Sequence, residues 1–283
     1  MNTHPLGDPV PAVGEGNAKG EIAAIFADIR TSLGTSSVNL IWRHLAMFPG
    51  ALSWCWRTIA PLHQRSELGD AARDFRRELT GPTLPQLPPE VLHILEIEAK
   101  DIALISSTLR GYQMSCTMNI LSLNALLLLL KDSAHGALPG TTPKQVETHA
   151  VAPPLQKMAR LLNPEEMPPP VAELAWRLNS LCTPGDPILA SLYRYLANWP
   201  SFLALTWSLI APMEADGRLP MAIERTLTAA DARAKALLPF LTPPTEAMDS
   251  AVRDIVCKAL EDFARGAIVK IIPITQALMT AVG

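Results

Sequence analysis

The chain lacks most of the features by which a function can be read from sequence. Its four cysteines, Cys55, Cys116, Cys182 and Cys257, are too far apart for a C-x-x-C redox pair or a short metal-binding spacing. No histidine has a partner at H-x-x-x-H spacing, so neither a metal nor a cofactor is expected. Positive charge is not in excess: 24 Lys and Arg stand against 27 Asp and Glu, a net charge of -3. That balance excludes nucleic acid or an anionic membrane as the main partner, since both need clustered cations. Phosphate-cradling glycine motifs, a P-loop and a G-x-S-x-G nucleophile turn are all missing. No sustained period-two alternation marks a strand, which argues against a sheet protein.

What is present is apolar content and proline. Hydrophobic residues make up 48% of 283 residues, enough for a buried core in each of two domain-sized halves. The opening twenty residues are rich in Pro and Gly and lack the basic start and apolar block of a secretory signal, so 1–20 reads as a flexible lead-in. With free thiols, that composition points to a reducing, cytoplasmic setting. From Gly111 to Leu130 no residue is charged, yet Gln113, Ser115, Asn119, Ser122 and Asn124 interrupt the run. Amides and hydroxyls at this density fit a buried core helix better than a lipid-facing span, so no membrane partner is expected.

The most informative pattern is an internal repeat. Arg43, Leu45, Ala46, Pro49, Leu52, Trp56, Ile59, Ala60 and Pro61 recur as Arg194, Leu196, Ala197, Pro200, Leu203, Trp207, Ile210, Ala211 and Pro212. Each pair is 151 residues apart, as 45 and 196 show. One offset held across so many positions predicts two fused copies of one helical unit, related by a pseudo-twofold axis, with any site between them. The expected boundaries are 21–133 for the first repeat and 155–283 for the second. A Pro- and Gly-rich linker over 134–154 joins them.

Helix periodicity fills in each copy. Ile22, Ile25, Phe26, Ile29 and Leu33 form one face of a helix from Glu21 to Leu33. A second helix is expected from about Val38 to Met47. A third should open at Pro49 and stop at Pro61, burying Leu52, Trp56 and Ile59. In the second copy Asp186 and Pro187 read as cap and first turn of a helix running to Asn198, and Pro200 as the start of one ending before Pro212. Each copy closes with a very apolar helix, Cys116–Leu130 and Ala267–Val282. The fold class is all-α.

These runs resemble the group I 2-haloacid dehalogenases, which act on both D- and L-2-haloacids. That family's first half carries an L-A-x-F-P-G-x-L-x-x-x-W run, here Leu45 to Trp56. Its second half carries an A-S-acidic-aromatic-x-x-L-A-x-W-P run, here Ala190 to Pro200. The likeness extends over most of the chain from Glu21 onward. It implies an all-helical, two-repeat fold and hydrolysis of carbon–halide bonds in small 2-halocarboxylic acids. In that family an aspartate in the second half activates the attacking water, and a general base must lie within hydrogen-bond reach of it. The matching position here is Leu192, its counterpart in the first repeat is Ile41, and an asparagine of the family's site is matched by Cys116.

The candidate pocket is therefore Ser37, Leu40, Ile41, Cys116, Ser191, Leu192 and Tyr193. Arg43 and Arg194, matched across the repeat, are candidate anion holders, because guanidinium can pair a carboxylate through two nitrogens; either could instead pair with an acidic neighbour. His44, His63, His93 and Asp28 read as structural or solvated. Two functions remain: a hydrolase of this family, or a non-catalytic binder of a small apolar acid or a protein partner in the cleft between repeats. Oligomerisation is compatible with both.

Overall fold

Helix signals at the chain's start translate directly into structure. In the computed structural model, which describes residues 10–79, 81–133, 155–183 and 188–283, helix α1 spans Gly20–Leu33 and buries Ile25, Phe26, Ile29 and Leu33. It ends at Gly34, whose φ of 62° lets its N–H and that of Thr35 turn back onto the last carbonyls of the helix. A short α2, Leu40–Leu45, leads to α3, Ala51–His63, and α4, Ser66–Glu78. Then come α5, Pro89–Ile94, and the long α6, Ala99–Ser133. The second half runs α7, Pro169–Ser180; α8, Ser191–Leu196; α9, Pro200–Ala215; and α10, Arg218–Leu237. It closes with α11, Ser250–Leu260, and α12, Val269–Val282, joined by a π-helical stretch, Glu261–Ile268. Among the described residues there is no strand, only an isolated bridge between Thr35 and Gln156. The fold is all-α.

Two pairs of helix starts keep the spacing of the sequence pattern, while α3 and α9 open at Ala51 and Pro200, off that spacing. Leu40 and Ser191 open α2 and α8, and Ala99 and Ser250 open α6 and α11, each pair 151 residues apart. Helix α6 is the axis of the bundle and packs against α4, α10 and α12. It and the helical stretch Ser250–Val282 are long and apolar enough to cross a membrane, but 89% of the most apolar window of α6 is buried in protein. Its side-chain amides make hydrogen bonds, though Asn124 Oδ1 has no partner among the described residues. Asn119 Nδ2 donates to Asn39 Oδ1 at 3.1 Å, and Asn119 Oδ1 accepts from Trp42 Nε1 at 3.3 Å. Gln113 Oε1 accepts from Thr275 Oγ1 at 2.6 Å, and Asn124 Nδ2 donates to Asp231 at 2.9 Å. Each such bond removes the roughly 1–3 kcal/mol cost of burying an unpaired polar group.

Several local expectations are corrected. Pro61 and Pro212 do not stop their helices; α3 continues to His63 and α9 to Ala215. Each proline sits in its helix's closing turns, where packing of the flanking apolar face outweighs one forfeited hydrogen bond. Pro49 precedes α3 in a turn closed by Gly50 at φ 75°. Residues 11–17 are not a loose lead-in. Val13 exchanges hydrogen bonds with Arg43, giving its N–H to the Arg43 carbonyl at 2.9 Å and accepting from Arg43 Nε at 2.9 Å. Glu15 Oε1 accepts from the Val38 N–H at 2.9 Å while its Oε2 pairs with Arg30 at 2.8 Å. The 134–154 linker, residues 1–9 and the Asp186–Pro187 cap lie outside the described residues.

Trp56 and Trp207, matched in sequence, part company in burial. Trp56 is 3% exposed, packs edge-on to Trp42 at 5.4 Å and donates Nε1–H to Asp28 at 2.7 Å. Trp207 is only half-buried. Trp56→Ala should therefore cost about 3–5 kcal/mol, the range for truncating a core aromatic. Trp207→Ala should cost clearly less, and urea denaturation of the two variants gives the comparison.

Candidate functional site

The first turns of α2 and α8 approach one face of α6, and two adjoining cavities lie at that junction. The loop before α2 is fixed from below, since Thr35 Oγ1 donates to the Ser37 carbonyl at 2.8 Å and Glu15 holds the Val38 amide. That presents Ser37 and Asn39, and the bond from Asn119 orients the Asn39 amide. Across the gap, Ser37 and Tyr195 share a hydrogen bond of 2.8 Å between hydroxyls, and Tyr112 and Ser191 one of 2.5 Å. The Tyr112 and Tyr195 rings meet edge-on at 5.9 Å.

One cavity is a polar slot with an empty volume of about 380 Å³, so narrow that it accepts about one water. Ser37, Ser115, Arg43, Arg194 and Tyr195 are on its walls. The other is an apolar chamber of about 410 Å³ lined by Ile41, Cys116, Ile188, Phe263 and Ile268, among others. Asn39, Leu40, Tyr112 and Ser191 line both, so the Tyr112–Ser191 hydroxyl pair divides them. The π-helical stretch supplies Phe263, Ala267 and Ile268 to the chamber. Such wide turns re-aim side chains that a regular helix would stack in line, and they recur at functional sites.

No residue lining either cavity is Asp, Glu or His. The phenol and thiol groups there are held neutral. Burial pushes the Tyr112 phenol well above its ordinary value, with Tyr195 adding to the effect. Tyr195 is raised by burial as well, and the Cys116 thiol is pushed up to about 12 by burial. A hydroxyl next to a neutral tyrosine is a hydrogen-bond donor and acceptor, not an activated nucleophile. A cysteine 3% exposed with its thiol protonated behaves as a small hydrophobe. The walls can bind and orient; they offer nothing that takes a proton from water near neutral pH.

The sequence candidates fall into three groups. Ser37, Leu40, Ile41, Cys116 and Ser191 are on the cavity walls. Arg43 and Arg194 line the slot, but each spends Nε on a backbone carbonyl, of Val13 at 2.9 Å and of Leu162 at 2.8 Å. Arg194 is 1% exposed and also donates Nη2–H to Asn163 Oδ1 at 3.0 Å. Backbone carbonyls are thus among the partners of both arginines. Leu192 and Tyr193 are both fully buried and line neither of these two cavities.

His44 is anchored through Nδ1 to the Pro11 carbonyl at 2.7 Å, and His93 is exposed on α5. Missed in sequence were Asn39, Tyr112, Ser115 and Tyr195. For Tyr112 a signal existed, since it precedes Cys116 by four residues on one helix and so shares its face. Among the described residues no three His, Cys, Asp or Glu side chains are grouped to hold a metal ion.

No protein-family model and no curated protein matches the chain. Solved structures do match it in shape. A D-2-haloacid dehalogenase mutant superposes with a TM-score of 0.77 at 17% identity, covering 95% of each chain. A D-2-haloacid dehalogenase in complex with L-LA gives 0.72 at 18% identity over 95% of this chain and 96% of that one. A mutant of that enzyme class in complex with D-2-CPA gives 0.69 at 18% identity over 96% and 98%. The chain has the haloacid dehalogenase-like fold along nearly its whole length.

Proposed function

We propose that this protein binds a small apolar carboxylic acid, of the 2-halocarboxylic type, in the cleft between its two repeats, 21–133 and 155–283. On this reading it does not carry out the water-activating hydrolysis that the dehalogenase label implies. The observation that carries the reading is the make-up of the walls: a slot of hydroxyls and arginine beside an apolar chamber, without a carboxylate or imidazole on either. An amphipathic small acid matches the chemistry of such a divided cleft once the slot widens, its carboxylate among the Ser37, Tyr195, Tyr112 and Ser191 hydroxyls and its tail against Ile41, Cys116 and Phe263. Hydrogen bonds to a carboxylate are worth about 1.5–3 kcal/mol each. Displacement of halide by water needs a base, and Leu192 at the family's base position is hydrocarbon.

Calorimetric titration with D- and L-2-chloropropionate and with propionate tests the binding. Saturable binding is expected, and Tyr112→Phe should weaken it by about tenfold, the factor for one hydrogen bond of ~1.4 kcal/mol. Binding unaffected by that change, or no binding, contradicts the assignment of the cleft.

A further inference from the structure

The polar slot is roofed by a piece of chain that no helix contains. Residues 155–163 run extended over the junction of α6 and α8, and Met158 and Leu161 line the slot beneath. No residue of this strap is buried, whereas Tyr112, Ser115 and Tyr195, which line the slot with it, are. Several of its ties are made by side chains of the helices it crosses, among them Arg194 Nη2–H to Asn163 Oδ1 at 3.0 Å. Gln156 N–H donates to the Gly34 carbonyl at 3.1 Å at one end. At the other, Arg194 Nε donates to the Leu162 carbonyl at 2.8 Å and Asn198 Nδ2 to the Arg160 carbonyl at 2.8 Å. Between them the Ala159 N–H reaches Thr108 Oγ1 at 3.4 Å.

Gly111 on α6 lets the strap lie this close. A Cβ there would sit 3.3 Å from the Gln156 Cβ and 3.7 Å from the Met158 sulfur. The Gln156 Cβ is fixed to backbone, so only movement of the strap itself can relieve that contact.

A segment with little buried surface, held by side-chain bonds over a cavity, opens locally at far lower free energy than the helices around it. We propose that residues 155–163 are the gate to the cleft and that Arg194 is its latch, a positioning residue that holds the roof through the Leu162 carbonyl. Opening uncovers the slot without disturbing α6 or α8. In this account the burial of Arg194 serves the latch, and an incoming anion meets the guanidinium when its carbonyl partner lifts away. The inference rests on the small-acid reading only for what passes the gate.

Hydrogen exchange on the full chain, read by mass spectrometry without ligand, tests it. Amides of 157–162 should exchange at least roughly tenfold faster than those of α6 between Tyr112 and Leu126. Gly111→Ala improves helix propensity in α6, so global stability should hold or rise while strap exchange speeds up several-fold. Asn198→Ala should do the same from the other end. Nitration of Tyr195 in the slot by tetranitromethane, resolved by peptide mapping, should accelerate in step with strap exchange. Strap amides exchanging at the rate of α6, or unaltered by both substitutions, overturn the proposal. Tyr195 nitration that stays constant while the strap loosens also overturns it, because the strap then opens without gating the slot. A strap that behaves as expected while 2-chloropropionate fails to bind leaves the gate standing and removes the small-acid reading.

Discussion

Lowering the pH from 7 to 3 should destabilise the protein by about 4 kcal/mol through His63 alone. His63 ends α3, is 6% exposed, and lies against Trp56 with ring centroids 5.2 Å apart. Neither ring nitrogen has a hydrogen-bond partner among the described residues. Burial lowers its pKa from 6.5 to about 3. The helix C-terminus favours a cation there, but by at most about 2 kcal/mol, so desolvation wins. Because the folded pKa lies below the unfolded one, the unfolded chain binds the proton more readily between those values. Stability is therefore complete above about pH 6.5 and falls by ~1.4 kcal/mol per pH unit until about pH 3. Urea midpoints measured across this range should drop steeply for the parent chain. His63→Phe should flatten the curve, and equal slopes for the two proteins would show that His63 is protonated in the fold.

Leu192→Asp is the substitution with the largest combined effect. The position is fully buried on α8 beside Ser191, which lines both cavities. An aspartate there loses the packing of a leucine and takes a carboxyl group out of water, so about 3–5 kcal/mol of stability should be lost. Desolvation also raises the pKa of the new carboxyl, which makes it a stronger base once ionised. Leu192 lines neither cavity, so chloride release from 2-chloropropionate should appear in the variant when the new carboxyl turns towards Ser191 and into the cleft, and should then rise with pH as that carboxyl ionises. General-base catalysis is worth about 10²- to 10⁴-fold. A folded variant without chloride release would show that Cys116, at the family's asparagine position, or the wall geometry is also deficient.

How far the residues foretold this structure depends on the range of the interaction. The all-α class follows from periodicity, which is local, whereas α8 opens at Ser191 and not at the Pro187 first turn expected, residues 188–190 being non-helical. Prolines misled at Pro61 and Pro212 because tertiary packing, invisible in one segment, carries both helices past them. Trp207 kept its place in the pattern and lost its burial, since what covers a side chain is set by the other elements around it. The walls were legible where the repeat or the family resemblance pointed, at Ser37, Leu40, Ile41, Cys116 and Ser191. Phe263 and Ile268 were not, because a π-helical stretch breaks the periodicity that would have placed them. The carbonyl partners of Arg43 and Arg194 leave no trace in side-chain chemistry at all.

The most direct measurement is chloride release from D- and from L-2-chloropropionate, followed with the purified chain at neutral pH alongside a buffer control. The account predicts no release above the control for either enantiomer while calorimetry shows the acid bound, because no group on the cleft walls takes the proton from an attacking water. Sustained release of chloride from either enantiomer, at many turnovers per chain, would contradict it and place a base within reach of the bound acid.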